Sequence, residues 1–208
     1  MKKISKKAYH LLQNISLGAI VGFLLLSLIG SIYGLRQNSL RMVELRDAVY
    51  AADRDDGDVD KALRELGSHV VNHMNTDLNR TGNIDGGEKP IQLVYSYYRD
   101  TLNEYQRITT DSSPEHVALL GRATSSCQET PIAERLSCIG QYVSDNAGPT
   151  YPSIEPLPKD FYVFDFNSPS WSPDLAGISL FMFGFSIVLL ALRFITGAMA
   201  SRIISYRN

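Results

Sequence analysis

Ile15–Tyr33, ISLGAIVGFLLLSLIGSIY, is a run of 19 residues without a charge. Its counterpart near the other end is Leu175–Leu192, LAGISLFMFGFSIVLLAL, with 18. A helix needs about 20 apolar residues to cross a hydrocarbon core of about 30 Å. Both runs therefore predict transmembrane helices. The segments outside the pair carry Lys2, Lys3, Lys6, Lys7, Arg193, Arg202 and Arg207 and no acid, whereas residues 36–174 carry all 22 acids against 13 Lys and Arg, a formal charge of −9. Basic flanks stay on the cytoplasmic side. The expected topology is N-terminus in, residues 36–174 outside, C-terminus in.

The whole-chain charge of −2 hides this segregation. An acidic external part leaves no basic face for nucleic acid. About 140 external residues suffice for one domain with its own core. A cleaved signal peptide is the competing reading of the N-terminal run. That run exceeds the usual apolar region of 7–15 residues, and Leu28–Gly34 offers no clean small-x-small cleavage pair. The expectation is a retained helix.

The external part reads as helical. Leu35–Ala52 has a period near 3.6 and is expected to continue the first span outward. Asp53–Asp58 breaks it, and Asp58 caps a second helix over Val59–Asn75. A Gly-rich loop, Thr81–Lys89, separates this from a helix over Pro90–Ile108. Ser113-Pro114 is a cap followed by Pro at the first helical position, which starts a helix running to about Cys127. A fifth covers about Ile132–Ser144. From Gly148 to Pro173 six prolines break any helical period, and the segment reads as an extended connector. Its aromatics, Phe161–Phe166 and Trp171, suit either a membrane interface or packing on the domain. Ser172-Pro173-Asp174 starts the second span. The predicted architecture is all-α: a tail over 1–14, a span over 15–35, a helical domain over 36–147, a connector over 148–173, a span over 174–200 and a tail over 201–208.

Cys127 and Cys138 are the only cysteines. Their external placement predicts a disulfide stapling a helical hairpin, with Pro131 near the bend. Ten intervening residues do not suit a redox pair, which wants C-x-x-C spacing or an activating base.

The sharpest ligand pattern is Asp77–Glu88. An EF-hand loop places oxygen ligands at positions 1, 3, 5, 7, 9 and 12 and Gly at 6. Asp77, Asn79, Thr81, the Asn83 carbonyl, Asp85 and Glu88 fill those positions, and Gly82 fills the turn. Calcium is the cofactor this pattern would take. Thr81 is a poor ligand, Pro90 crowds the exit helix, and no second loop exists to pair with it. A polar turn between helices favours the same residue types. His69 and His73, with Glu65 and Asp77, share a helix face that a metal could use. The sequence between them lacks the Glu of H-E-x-x-H, which argues against zinc-protease chemistry.

Gly18-x-x-x-Gly22 and Gly30-x-x-x-Gly34 permit close helix approach. They predict either a homo-oligomer or packing of the two spans on each other. No G-x-S-x-G, P-loop or dinucleotide fingerprint is present. The sequon Asn79-Arg80-Thr81 matters only in a eukaryotic secretory pathway, and the short basic start suggests a bacterial chain.

At His73-Met74-Asn75-Thr76, Pro90-Ile91-Gln92-Leu93 and Ser168–Gly177 the chain resembles uncharacterised two-span membrane proteins of Saccharibacteria and related candidate-phylum bacteria. That resemblance implies a bacterial inner membrane and an external helical domain, and brings no activity. The function expected is a non-catalytic external interaction or accessory module, partnered by the bilayer and another envelope protein. A solute-sensing ectodomain is the alternative. It would need a partner for output, since about a dozen residues follow the second span. An enzyme with an unrecognised site is the third reading.

Overall fold

The computed structural model describes residues 14–80, 90–148, 151, 155–167 and 172–205. Among the described residues six α-helices and three short strands follow one another: α1 Leu17–Arg54, α2 Val59–His73, β1 Asp77–Arg80, β2 Ile91–Gln92, α3 Val94–Thr110, α4 Pro114–Ser126, α5 Ile132–Asn146, β3 Val163–Asn167 and α6 Leu175–Ser205. The fold is mostly helical, as the periodicity predicts. Two compact units divide it.

The first unit holds residues 1–42, 69–75 and 169–208. It contains most of α1 and all of α6. Both helices are long and apolar enough to cross a membrane, with mean hydropathies of 2.0 and 2.4 over their most apolar windows. At 1.5 Å per residue the 38 residues of α1 span about 57 Å, nearly twice the hydrocarbon thickness. The first apolar run and Leu35–Ala52 are thus one helix, as expected. Large apolar side chains such as Leu26, Phe181 and Phe194 stand exposed on these helices. A core helix of a water-soluble fold would bury them.

Small residues line the contact between α1 and α6. A Cβ added to Gly34 would lie 2.9 Å from the Ala176 Cα, and one on Gly30 would lie 2.9 Å from the Ser179 Oγ. These two glycines are consumed by packing of the spans on each other. Among the described residues nothing lies within 4 Å of a Cβ at Gly22, and one at Gly18 meets Ser16 Oγ at 3.6 Å. Buried hydroxyls satisfy themselves on their own helix: Ser31 Oγ donates to Ser27 O at 2.8 Å and Ser186 Oγ to Met182 O at 2.7 Å. In hydrocarbon no water replaces such bonds.

The second unit holds residues 43–68 and 76–168. Here α1 ends where the sequence predicts. Asp56 takes φ 58°, and Gly57 N–H donates back to Ala52 O at 2.8 Å, closing the helix in a Schellman turn. Asp58 then caps α2 through Lys61 N–H at 2.8 Å. Ser113 caps α4 through His116 N–H at 3.3 Å, with Pro114 next, as read from the sequence.

α3, α4 and α5 form the bundle. Its core is Tyr105, Leu120, Ala123, Cys127 and Ile139, flanked by Leu102, Leu136 and Tyr142. The Cys127–Cys138 disulfide joins α4 to α5 across a Cα–Cα distance of 5.9 Å. Pro131 is the N-cap residue of α5, at the bend of the stapled hairpin.

A small antiparallel sheet was not legible in the sequence. β3 is its central strand, in the order β1-β3-β2. Asp77 pairs with Asn167 and Arg80 with Phe164, while Ile91 also faces Phe164. The segment read as an extended connector thus supplies a 3₁₀ turn at Lys159–Tyr162 and this strand. The helix expected from Pro90 starts at Val94 instead, because Ile91 and Gln92 are spent on β3. Val163 is buried, Tyr162 stacks edge-on to Tyr97 at 5.4 Å, and Arg80 lies 5.7 and 5.6 Å from the Phe161 and Phe164 rings. Tyr162 and Phe164 are partly buried on the domain, whereas Phe161 is exposed. Trp171 lies outside the described residues.

Candidate functional site

α3 has Leu93 as its N-cap residue and no side-chain cap of its own. The cap comes from 42 residues upstream. The buried Asp53 carboxylate accepts Tyr95 N–H at 3.0 Å and Ser96 N–H at 2.7 Å, and the Asp53 carbonyl accepts from Arg99 at 2.9 Å. Arg99 also pairs with Asp56 at 3.1 Å. The acidic run that ends α1 therefore anchors the start of α3. An anion belongs at a helix N-terminus, where free N–H groups and the dipole meet it.

Beside that helix start lies a cavity of about 120 Å³, lined by Leu93, Val94, Tyr97, Lys159, Tyr162 and Val163 together with Gln92 and Ala133. Its floor is aliphatic. Lys159 Nζ sits 5.7 Å over the Tyr97 ring, and Tyr162 Oη donates to the Asp100 carboxylate at 2.8 Å. Burial, with the Asp100 hydrogen bond and charge, pushes the Tyr162 phenol up to about 12. Burial likewise raises Tyr97, Tyr105 and Tyr151. The phenols stay protonated donors at any physiological pH. The cavity can hold a small apolar side chain beside one cation and one carboxamide.

A polar cluster occupies the first unit. Asn38 Nδ2 donates to His73 O and to Asp174 Oδ2, each at 2.6 Å. His69 Nε2 lies 3.0 Å from Asn38 O. Asp174 Oδ1 caps α6 through Gly177 N–H at 2.7 Å. Asn75, at φ 55°, accepts Ser172 N–H at 2.6 Å on its Oδ1. Asn tolerates this left-handed backbone better than most residues. The sequence stretches around His73–Thr76 and Ser172–Gly177 are therefore bonded to each other. The junction was not legible because neither stretch has a partner nearby in sequence.

The proposed metal face is rearranged. His69 and His73 remain neighbours, with ring centroids 5.0 Å apart. α2 ends at His73, so Asp77 leaves that face for β1. His73 Nδ1 lies 3.9 Å from the Asp174 carboxylate. Among the described residues no group of three His, Cys, Asp or Glu is placed to hold a metal ion.

For the calcium pattern, Asp77 and Asn79 lie on β1, where Asp77 Oδ1 accepts Leu78 N–H at 2.8 Å. Thr81, Asn83, Asp85 and Glu88 lie outside the described residues. The segment is entered through β1 and left through β2, whereas an EF-hand loop runs between two helices.

Fold and site together define a class: a mostly helical protein in which two helices of membrane-spanning length bracket a disulfide-stapled helical bundle. No protein-family model matches the chain, and neither a curated protein nor a solved structure does.

Proposed function

We propose that the chain is a two-pass protein of a bacterial inner membrane, with both termini in the cytoplasm and residues 36–174 outside, whose external bundle is a non-catalytic interaction or accessory module. The observation that carries this reading is the charge segregation, +7 outside the two uncharged runs Ile15–Tyr33 and Leu175–Leu192 against −9 over residues 36–174 between them. The Cys127–Cys138 bond supports an oxidising location for the bundle. The partner is another membrane or envelope protein. The test is cross-linking of the full chain in its native membrane, purification in mild detergent and mass spectrometry. One envelope protein should be enriched, and replacing residues 43–168 with an unrelated secreted domain should lose it. Recovery of the chain alone, or recovery unchanged by the swap, contradicts the proposal.

The cavity beside Tyr97 and Tyr162 favours a second reading, a solute-sensing ectodomain that signals through a separate partner. Its aliphatic floor and the Lys159 ammonium suit a small apolar carboxylate. A melting-temperature rise with such a solute, lost in Lys159→Gln, favours this reading over the first.

Calcium at Asp77–Glu88 belongs to the proposal as a stabilising ligand, supported by the ligand spacing alone. A single loop of modest charge would bind at about 10⁻⁴–10⁻³ M, the range of extracellular modules. Millimolar calcium should then raise the melting temperature of the full chain, and Glu88→Gln should abolish the rise. No rise, or an equal rise in the variant, removes calcium from the account.

A further inference from the structure

The cavity beside the start of α3 lies wholly within the second unit. Leu93 and Val163 are its buried floor, and Val94, Tyr97 and Tyr162 are its half-buried walls. Its rim is exposed and holds Gln92, Ala133 and Lys159. Among the described residues Lys159 has no ion-pair partner, and its Nζ rests 5.7 Å over the Tyr97 ring.

Gln92 belongs both to this rim and to β2, an edge strand in the order β1-β3-β2. Gln92 pairs with Val163, and Leu93 N–H donates to Tyr162 O at 2.9 Å. Bonded and non-bonded pairs alternate along an antiparallel ladder. Gln92 is therefore at a non-bonded pair, and its own N–H and C=O point away from β3. Among the described residues neither group has a partner.

We propose that this cavity captures the carboxy-terminal residue of another protein: its apolar side chain enters the cavity, its carboxylate meets Lys159, and the main chain of the tail bonds to the outward edge of Gln92. This rests on the interaction-module reading above and names the feature of the partner that the module reads.

A cavity of about 120 Å³ is a little smaller than the space of about 150 Å³ that holds a benzene molecule. It has room for one side chain. The rest of any ligand stays at the rim, where it finds one cation and one pair of main-chain groups. An anion beside an amide matches that set. The last residue of a polypeptide carries both on the same carbon. A free amino acid carries an ammonium where the amide would be, and Lys159 repels it. An internal segment has the amide without the anion. Main-chain bonding at a sheet edge and capture of a terminal carboxylate are both general modes of peptide recognition. The edge offers the groups of a single residue, so the tail's upstream sequence is free to vary.

The test is fluorescence polarisation of the full chain in lipid nanodiscs with the peptide Gly-Ser-Gly-Ser-Leu, labelled at its amino terminus. The free acid should bind saturably. Its carboxamide form should bind about five-fold more weakly, the factor for one rim ion pair of about 1 kcal/mol. Lys159→Gln should weaken the acid by the same factor and leave the carboxamide unchanged. Ala133→Phe, which fills the rim from α5, should abolish binding of both. Gln92→Pro removes the outward N–H and no ladder bond, and should weaken both. Free leucine should not compete. The proposal is overturned by no saturable binding, by equal binding of acid and carboxamide, by a Lys159→Gln loss common to both forms, or by unchanged binding in Ala133→Phe or Gln92→Pro. Competition by leucine at the affinity of the peptide also overturns it and returns the cavity to the solute reading. The comparison of acid with carboxamide needs no substitution, so a variant that fails to fold does not blunt it. If the peptide fails while cross-linking still enriches an envelope protein that depends on residues 43–168, this inference falls and the interaction-module reading stands.

Discussion

Asp53 acts as a cap for a helix it does not belong to. Its carboxylate is buried and takes two backbone N–H groups of α3. Asp53→Ala would leave the Tyr95 and Ser96 N–H groups without their acceptor in a partly buried place. Such a loss costs about 2–3 kcal/mol when the acceptor is charged. Chemical denaturation of the full chain in detergent should show that loss, and a change within error would show that water replaces the cap. Tyr162 gives a second residue-scale test. Its folded pKa of about 12 lies above the usual tyrosine value of about 10. The unfolded chain therefore releases this proton first as pH rises. Stability from this group is complete below pH 10 and is lost between about 10 and 12. Tyr162→Phe should shallow the alkaline decline of the melting temperature. Tyr97, Tyr105 and Tyr151 leave a residual slope. An unchanged slope contradicts the assignment. None of this was legible in advance, because Asp53 reads as part of the run that breaks a helix and its α3 partners lie more than 40 residues downstream.

At the scale of elements, periodicity located the helices well. α1, α2, α4 and α5 start and stop close to where caps and apolar stripes place them, since those signals are local. The strands are another matter. β1 is Asp-Leu-Asn-Arg and β2 is two residues long, so neither carries an alternation to detect. They exist because β3 accepts them on its two edges. The EF-hand spacing lay across β1, and a pattern of ligand types says nothing about whether the chain turns or extends. The Cys127–Cys138 staple was legible because two cysteines in an oxidising place allow one pairing. It closes the α4–α5 hairpin and should be worth about 3 kcal/mol by the loop-entropy estimate. Cys127→Ser with Cys138→Ser should lower the unfolding free energy by about that much. In the unaltered chain, denatured without reductant, neither thiol should label. Free labelling there would contradict a formed bond.

The whole molecule is organised by where its charges stop. Seven basic residues lie outside the two uncharged runs Ile15–Tyr33 and Leu175–Leu192, and every acid lies between those runs. That pattern was visible in the sequence because membrane insertion reads composition over long windows rather than fine contacts. The way α1 meets α6 was half visible. Four glycines allowed close approach, and only the structure shows that Gly30 and Gly34 are used against Ser179 and Ala176. The polar junction of Asn38, His73, Asn75, Ser172 and Asp174 was hidden, because its members come from three distant segments. The topology is tested most directly by paired reporters, one fused after Asn208 and one inserted near Gly148. The account predicts that the Asn208 fusion is active only as a cytoplasmic reporter and the Gly148 insertion only as an external one. External activity at Asn208, or cytoplasmic activity at Gly148, would contradict it.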